Sequence, residues 1–212
     1  MKLFGASGSP YVRKVLAFAD EKGIELELVP VGFGDAPPEF YQASPFKKMP
    51  AFQDGDFRIS DSSAIITYLD ALKPEPNLIP LEPKARARVI WFEEYADTIM
   101  TPPAAKMVFN RLLAPKLLNM PGDEAVAAAA EADELPPVLA YLESVIPASG
   151  WLVEDRPTLA DISVASPLGT LMHTGWRLDA AKYPKAAAYV DKVLARPCLS
   201  RWIAQEKAFF AS

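Results

Sequence analysis

A chain of 212 residues, half of them hydrophobic and 23% charged, is long enough to bury one large core or two modest ones. Its formal net charge of −5, with no cluster of lysine or arginine to set against it, argues against a nucleic-acid binder. The single cysteine excludes an intrachain disulfide and a thiolate-rich metal site, and the single histidine leaves no cluster for a metal or a His-paired nucleophile. No apolar run is long enough to span a bilayer and no basic, then apolar, leader opens the chain. A metal-free protein of the reducing cytoplasm, away from membranes, is therefore expected.

In chain order, Lys2 to Phe4 reads as a strand and residues 10 to 22 as a helix stopped by Gly23. Glu25 to Val29 alternates at period two, so it reads as a second strand. Strand, helix and strand with tight connections predict a right-handed βαβ unit with parallel strands. A Gly- and Pro-rich loop (Gly32 to Pro38) and a short helical patch near Glu39 to Gln42 follow. Asp54-Gly55-Asp56, between Ala51-Phe52-Gln53 and Phe57-Arg58-Ile59, predicts a hairpin with a type I′ turn. Asp61-Ser62-Ser63 then caps a helix that carries Ile65, Ile66, Leu69 and Leu72.

Lys73 to Pro83 holds four prolines in eleven residues and reads as a stiff linker. All beyond it is helical in pattern. Val89, Phe92, Tyr95 or Ala96, and Ile99 recur at helical spacing until Pro102-Pro103 must bend or end that helix. Ala125 to Ala132 and Val138 to Ile146 are helical, separated or kinked by Pro136-Pro137. Thr158 to Asp161 is a capping-box start for a helix that Pro167 should distort. Pro184 opens another helix with Ala187, Val190 and Leu194 on one face, and a last one runs from about Leu199 to Phe209. Domains over residues 1–73 and 84–212, joined by a linker at 74–83, are expected.

The stretch with chemistry in it is Ser9-Pro10-Tyr11-Val12-Arg13. Ser9 suits an N-cap and Pro10 the first helical position, which sets a hydroxyl beside the roughly half positive charge of a helix N-terminus. A thiolate or another anion can be held there; a plain helix cap is the competing reading.

Four segments resemble the soluble glutathione S-transferase family, serine-type, over the whole chain. Ser9 to Arg13 is similar to its serine active-site turn. Ser44-Pro45-Phe46-Lys47-Lys48-Met49-Pro50-Ala51-Phe52 resembles its Asn-Pro-x-Gly-x-Val/Ile-Pro-x-Leu/Phe pattern. Asp61-Ser62-Ser63-Ala64-Ile65 resembles its Glu-Ser-x-Ala-Ile, and Thr158 to Ile162 its helical-domain capping box.

The resemblance implies an α/β thioredoxin-like N-terminal domain followed by an all-α C-terminal domain, with glutathione as cosubstrate. Ser9 would stabilise the glutathione thiolate, with Ser7 as a reserve donor and Arg13 either adding positive field or pairing on the surface. A cis bond at Met49-Pro50 would offer the Met49 N–H and C=O to the cysteinyl backbone. Asp61 and Ser62 would take the γ-glutamyl ammonium and carboxylate, or serve only as a cap. Lys48, or Lys47, would hold the glycyl carboxylate.

A small hydrophobic electrophile is expected between the sheet domain and the long helix after the linker. Tyr11, Met100, Met107 and Phe109 are candidates for its apolar wall, and Trp176 with Phe209 or Phe210 for closing it. Thr158 and Asp161 are assigned to folding, and His173 and Cys198 to packing. A homodimer is expected. Asp61 in place of Glu shortens the reach to the ammonium, Lys47 stands where the pattern has Gly, and the absence of cysteine at position 9 disfavours thiol–disulfide exchange.

The energetics fit a lone serine. A thiol of pKa near 8.5 is about 3% ionised at pH 7, and lowering it two units takes about 2.7 kcal/mol. A hydroxyl donating to a charged sulfur supplies about 1.5–3 kcal/mol and a helix N-terminus about 0.3–1 more. The same site would also suit ether cleavage, dehalogenation or peroxide reduction; a non-catalytic interaction module is the remaining alternative.

Overall fold

A computed structural model describes residues 1–211. The chain divides into two compact units, Met1–Leu78 and Ile79–Ser212, and the division falls inside the proline-rich stretch.

The first unit runs β1 (Lys2–Gly5), α1 (Pro10–Glu21), β2 (Glu27–Pro30), α2 (Pro38–Ala43), β3 (Ala51–Asp54), β4 (Phe57–Ser60) and α3 (Ser62–Leu72). Its sheet has the order β2-β1-β3-β4, with β1 and β2 parallel and the other pairs antiparallel. Leu3, Phe4, Ala51 and Phe52 from the sheet, Val15 and Phe18 from α1, and Ile65, Ile66 and Leu69 from α3 are all buried. The hairpin is present, but its turn is not type I′. Asp54 pairs with Phe57, Gly55 alone takes positive φ (+56°), and Asp56 does not. Glycine as the first central residue is what a type II′ turn demands.

Lys22, at the end of α1, is 1% exposed. Its ammonium donates to the carbonyls of Lys73 (2.8 Å), Pro74 (2.9 Å) and Pro76 (2.9 Å), and pairs with Asp70 at 2.8 Å. A buried charge is tolerated only when its donors are matched in this way. The linker thus starts out tied back to the first helix.

The second unit is helical: α4 (Pro83–Glu94), α5 (Thr101–Val108), α6 (Ala114–Leu117), α7 (Glu124–Ala129), α8 (Leu135–Val145), α9 (Leu159–Leu171), α10 (Pro184–Leu194) and α11 (Pro197–Ala211). Every residue of α9 is buried, as expected of a helix that is apolar all round and packed by α4, α5, α10 and α11. Pro167 lies inside α9 without ending it.

Nor do the proline pairs end their helices. Residues Tyr95–Met100, Phe109–Leu113 and Ala130–Glu134 are π-helical, and each such turn stands one residue before Pro102-Pro103, Pro115 or Pro136-Pro137. A proline has no N–H for the carbonyl four residues back, and its ring crowds that carbonyl. Widening the preceding turn relieves both problems. Thr101, just ahead of Pro102, reaches five residues back to the Ala96 carbonyl, which also accepts from the Thr101 hydroxyl at 2.7 Å.

The wide turn shifts the helical phase by a residue. Met100, fully buried, follows Phe92 and Ala96 on the inner face, while Ile99 is 42% exposed and leaves the stripe expected of it. On α10 the buried face is Ala186, Tyr189, Val190 and Val193, rotated from the expected Ala187, Val190 and Leu194.

Candidate functional site

In the first unit the sheet register aligns three segments at one end. Phe4 pairs with Ala51, and Ala51 with Ser60, so Gly5, Pro50 and Asp61 come one residue further along three adjacent strands. Strands lie about 4.8 Å apart, which sets the β1–α1 turn, the loop before β3 and the start of α3 within about 10 Å of each other. Gly5 is required by close approach: a Cβ there would sit 2.6 Å from Val12 Cγ2 and 3.5 Å from Met49 Cβ.

Ser9 occupies the N-cap position of α1 with extended backbone (φ −72°, ψ 128°), and Pro10 is the first helical residue. The main chain is committed: Ser9 N–H donates to the Ala6 carbonyl and its own carbonyl accepts from Arg13 N–H, both at 2.9 Å. The side chain is not. It makes no bond into the helix, and no partner for it stands among the described residues. Arg13 has no accessible surface, which removes its reading as a solvated surface pair.

The Met49-Pro50 peptide bond is cis. Just before it, the buried Ser44 hydroxyl accepts from Lys48 N–H at 2.9 Å and donates to the Lys48 carbonyl at 2.7 Å. Lys47 takes φ +57°, the left-handed conformation that explains a glycine at this place in the family pattern. Its ammonium lies 5.7 Å from the Tyr41 ring centroid, whereas Lys48 is exposed with no side-chain partner among the described residues. Asp61 N–H donates to the Pro50 carbonyl at 3.3 Å, which joins this loop to α3.

Asp61 caps α3 through Oδ1, which accepts from Ser63 N–H at 2.9 Å and Ala64 N–H at 3.0 Å. Its φ of +86° is costly for a residue other than glycine, and such strain gathers at ligand clamps. Ser62, the first residue of α3, is 3% exposed.

The apolar-wall candidates fall in both units and differ in exposure. Tyr11 is half-buried in the first turn of α1. Met100 and Met107 are fully buried in the helical unit and offer no surface to a ligand, which corrects their assignment to a wall; the π turn before α5 carries Met100 inward. Phe109 and Phe209 are exposed.

The remaining expectations are structural in kind. Asp161 Oδ2 accepts from Thr158 N–H (2.9 Å) and Thr158 Oγ1 (3.1 Å), and its Oδ1 from Leu152 N–H (3.1 Å). Burial pushes this carboxyl above its ordinary value, against the opposing effect of those bonds. The His173 side chain, 2% exposed, lies 2.8 Å from Glu206, and Cys198 is buried. Among the described residues no group of His, Cys, Asp and Glu could hold a metal ion, and no helix is long and apolar enough to cross a membrane.

Sequence reasoning missed the Ser44 staple and the positive φ at Asp61. The Lys47 substitution was a visible signal of the left-handed residue, whereas a serine that bonds four residues ahead has no sequence signature.

Comparison with known proteins gives one answer. The glutathione S-transferase N-terminal domain family matches residues 3–77, and the glutathione S-transferase C-terminal domain family matches residues 116–206. A glutathione S-transferase of Hyoscyamus muticus is 35% identical over 208 residues, 96% of this chain and 97% of the relative. Glutathione S-transferase F7 of Arabidopsis thaliana is 30% identical over 202 residues, 93% and 96% of the two chains. Among solved structures, a glutathione S-transferase from Rhodospirillum rubrum F11 superposes with a TM-score of 0.86 at 26% identity, covering 95% of this chain and 90% of its own. Glutathione S-transferase-I bound with lactoylglutathione superposes at 0.84 with 27% identity, covering 96% and 98%.

Proposed function

The chain belongs to the glutathione S-transferase family and is a glutathione S-transferase, and from that premise we propose that Ser9 is the group that keeps the glutathione sulfur ionised. The observation that carries this reading is the uncommitted Ser9 hydroxyl at the N-terminus of α1. A helix start would ordinarily consume that hydroxyl as a cap; here it is left to donate to an anion in front of the helix dipole.

The groups around it suit the rest of the tripeptide. The Met49 N–H and C=O, unpaired among the described residues, would take the cysteinyl main chain. Ser62 at the start of α3 would take the γ-glutamyl carboxylate, and the carboxylate oxygen of Asp61 not used in capping would take the ammonium. Lys48 would hold the glycyl carboxylate. Tyr11 and Phe109 are the candidates left to meet a small apolar electrophile, with ionisation and proximity as the main contributions to rate. The single cysteine suits a cytoplasmic setting.

Thiolate absorbance of the bound glutathione against pH tests the role of Ser9. Ser9→Ala should raise the bound thiol's pKa by about one to two units, the equivalent of about 1.5–3 kcal/mol. An unchanged titration would move the role to Ser7 or to main-chain donors.

A homodimer is the second proposal. Phe46 is 83% exposed, and an apolar groove of about 360 Å³ between Trp91, Tyr95, Ile99, Pro137, Val138 and Tyr141 opens on the helical unit. A second copy would take this apolar surface out of water. Sedimentation of wild type against Phe46→Ser tests it: a dimer that the variant weakens is expected, and a monomeric wild type sinks the proposal.

A further inference from the structure

Along residues 48 to 50, all peptide groups but one residue's are already used. The Lys48 N–H and C=O are both taken by the Ser44 hydroxyl, at 2.9 and 2.7 Å. Pro50 has no N–H, and its carbonyl accepts from Asp61 N–H at 3.3 Å. Met49, between them, is the residue whose N–H and C=O are both open among the described residues.

With the Lys48 groups held by Ser44 and the Pro50 carbonyl by Asp61 N–H, the Met49 groups are the ones left to pair outside the loop. Within a sheet the inward groups would be held by a neighbouring strand, but the ladder of β3 begins only at Ala51. Ser44 fills that gap with one oxygen that donates and accepts at once, as one residue of an antiparallel partner would. It is 1% exposed, and its own N–H and C=O are fixed by Phe40 and Lys47, so the oxygen is anchored on a rigid turn.

We propose that Ser44 is a positioning residue for glutathione: by holding both peptide groups of Lys48 inward, it fixes the outward face of Met49 on which the tripeptide pairs. This rests on the glutathione site proposed above. Ser44 touches no ligand in this account and plays no part in ionising the sulfur. Its loss should loosen binding and leave the chemistry alone.

The test measures three quantities on folded protein, below its melting transition: the dissociation constant for glutathione, the rate at saturating glutathione, and the pKa of the bound thiol. Ser44→Ala should weaken binding about tenfold, as the pairing of one residue is lost, with the saturated rate and the thiol pKa unchanged. Ser44→Asn, whose amide both donates and accepts, should recover affinity to within about twofold. If the alanine variant does not fold, Ser44→Cys, close in size and weaker in both bonds, should show the same loss in smaller degree. The proposal falls if affinity stays within twofold of wild type. It falls equally if the thiol pKa rises with the dissociation constant, or if asparagine restores nothing. Wild type that fails to bind glutathione overturns the site itself; wild type that binds, with variants that bind as well, overturns Ser44 alone.

Discussion

Two helix starts in this molecule use the same kind of residue to opposite ends. At the head of α9, Thr158 and Asp161 bond each other's main chain and side chain, and the carboxylate also takes Leu152 N–H. All of that is buried. At the head of α1, Ser9 sits in cap position with a proline behind it, yet its hydroxyl enters no bond with the helix. The first start is closed and stabilises the fold; the second is open and able to meet an anion. What separates a cap from a binding group is whether its oxygen is already engaged, which residue type alone does not report.

The contrast is sharpest when each start is deleted. Asp161→Ala strands three buried donors, each costing about 1–3 kcal/mol, so denaturant unfolding should show a loss of about 4 kcal/mol. The pKa of bound glutathione should not move in that variant. If it moves, the two starts are not independent.

Ser9→Ala should do the reverse. The thiol pKa rises as given above, while folding stability changes by less than about 0.5 kcal/mol, since no cap bond is lost. A stability loss of 1 kcal/mol or more would make Ser9 an ordinary cap and erase the distinction.

Smaller effects follow in the neighbouring loop. Lys48→Ala should raise KM for glutathione by roughly two- to fivefold with kcat unchanged, the scale of an exposed charge pair. Lys47→Gly should relieve the left-handed backbone at φ +57° and stabilise the fold by about 0.5 kcal/mol. A destabilised glycine variant would mean that the Tyr41 contact outweighs the strain.

Much of this was legible in the chain. The βαβ start, the hairpin and the helix after Asp61 follow from alternation, a glycine turn and a capping residue, all of which act over a few positions. The proline pairs misled because the rule for a lone α-helix makes them breakers, whereas π turns at 95–100 and 130–134 absorb them. The same turns hid the burial of Met100, since a phase shift of one residue is invisible to a fixed period. In the proposed glutathione site, Ser9, Met49 and Asp61 are the candidates that the motifs mark. Their state was not legible: whether a hydroxyl is engaged, or a carbonyl open, depends on neighbours such as Ser44 that pattern does not mark.

Lys22 recognises residues 73, 74 and 76 through their carbonyl oxygens, not through their side chains. The connector's route is consequently specified from outside itself. Replacements at residues 73, 74 and 76 that keep the main-chain trace should leave this anchor intact, whereas Leu78 and Ile79 further along are buried and held by packing. Lys22→Arg is the informative exception: a flat guanidinium cannot converge on acceptors that surround a single ammonium, and the conservative-looking swap would cost more than a side-chain change at residue 73, 74 or 76 that keeps the trace.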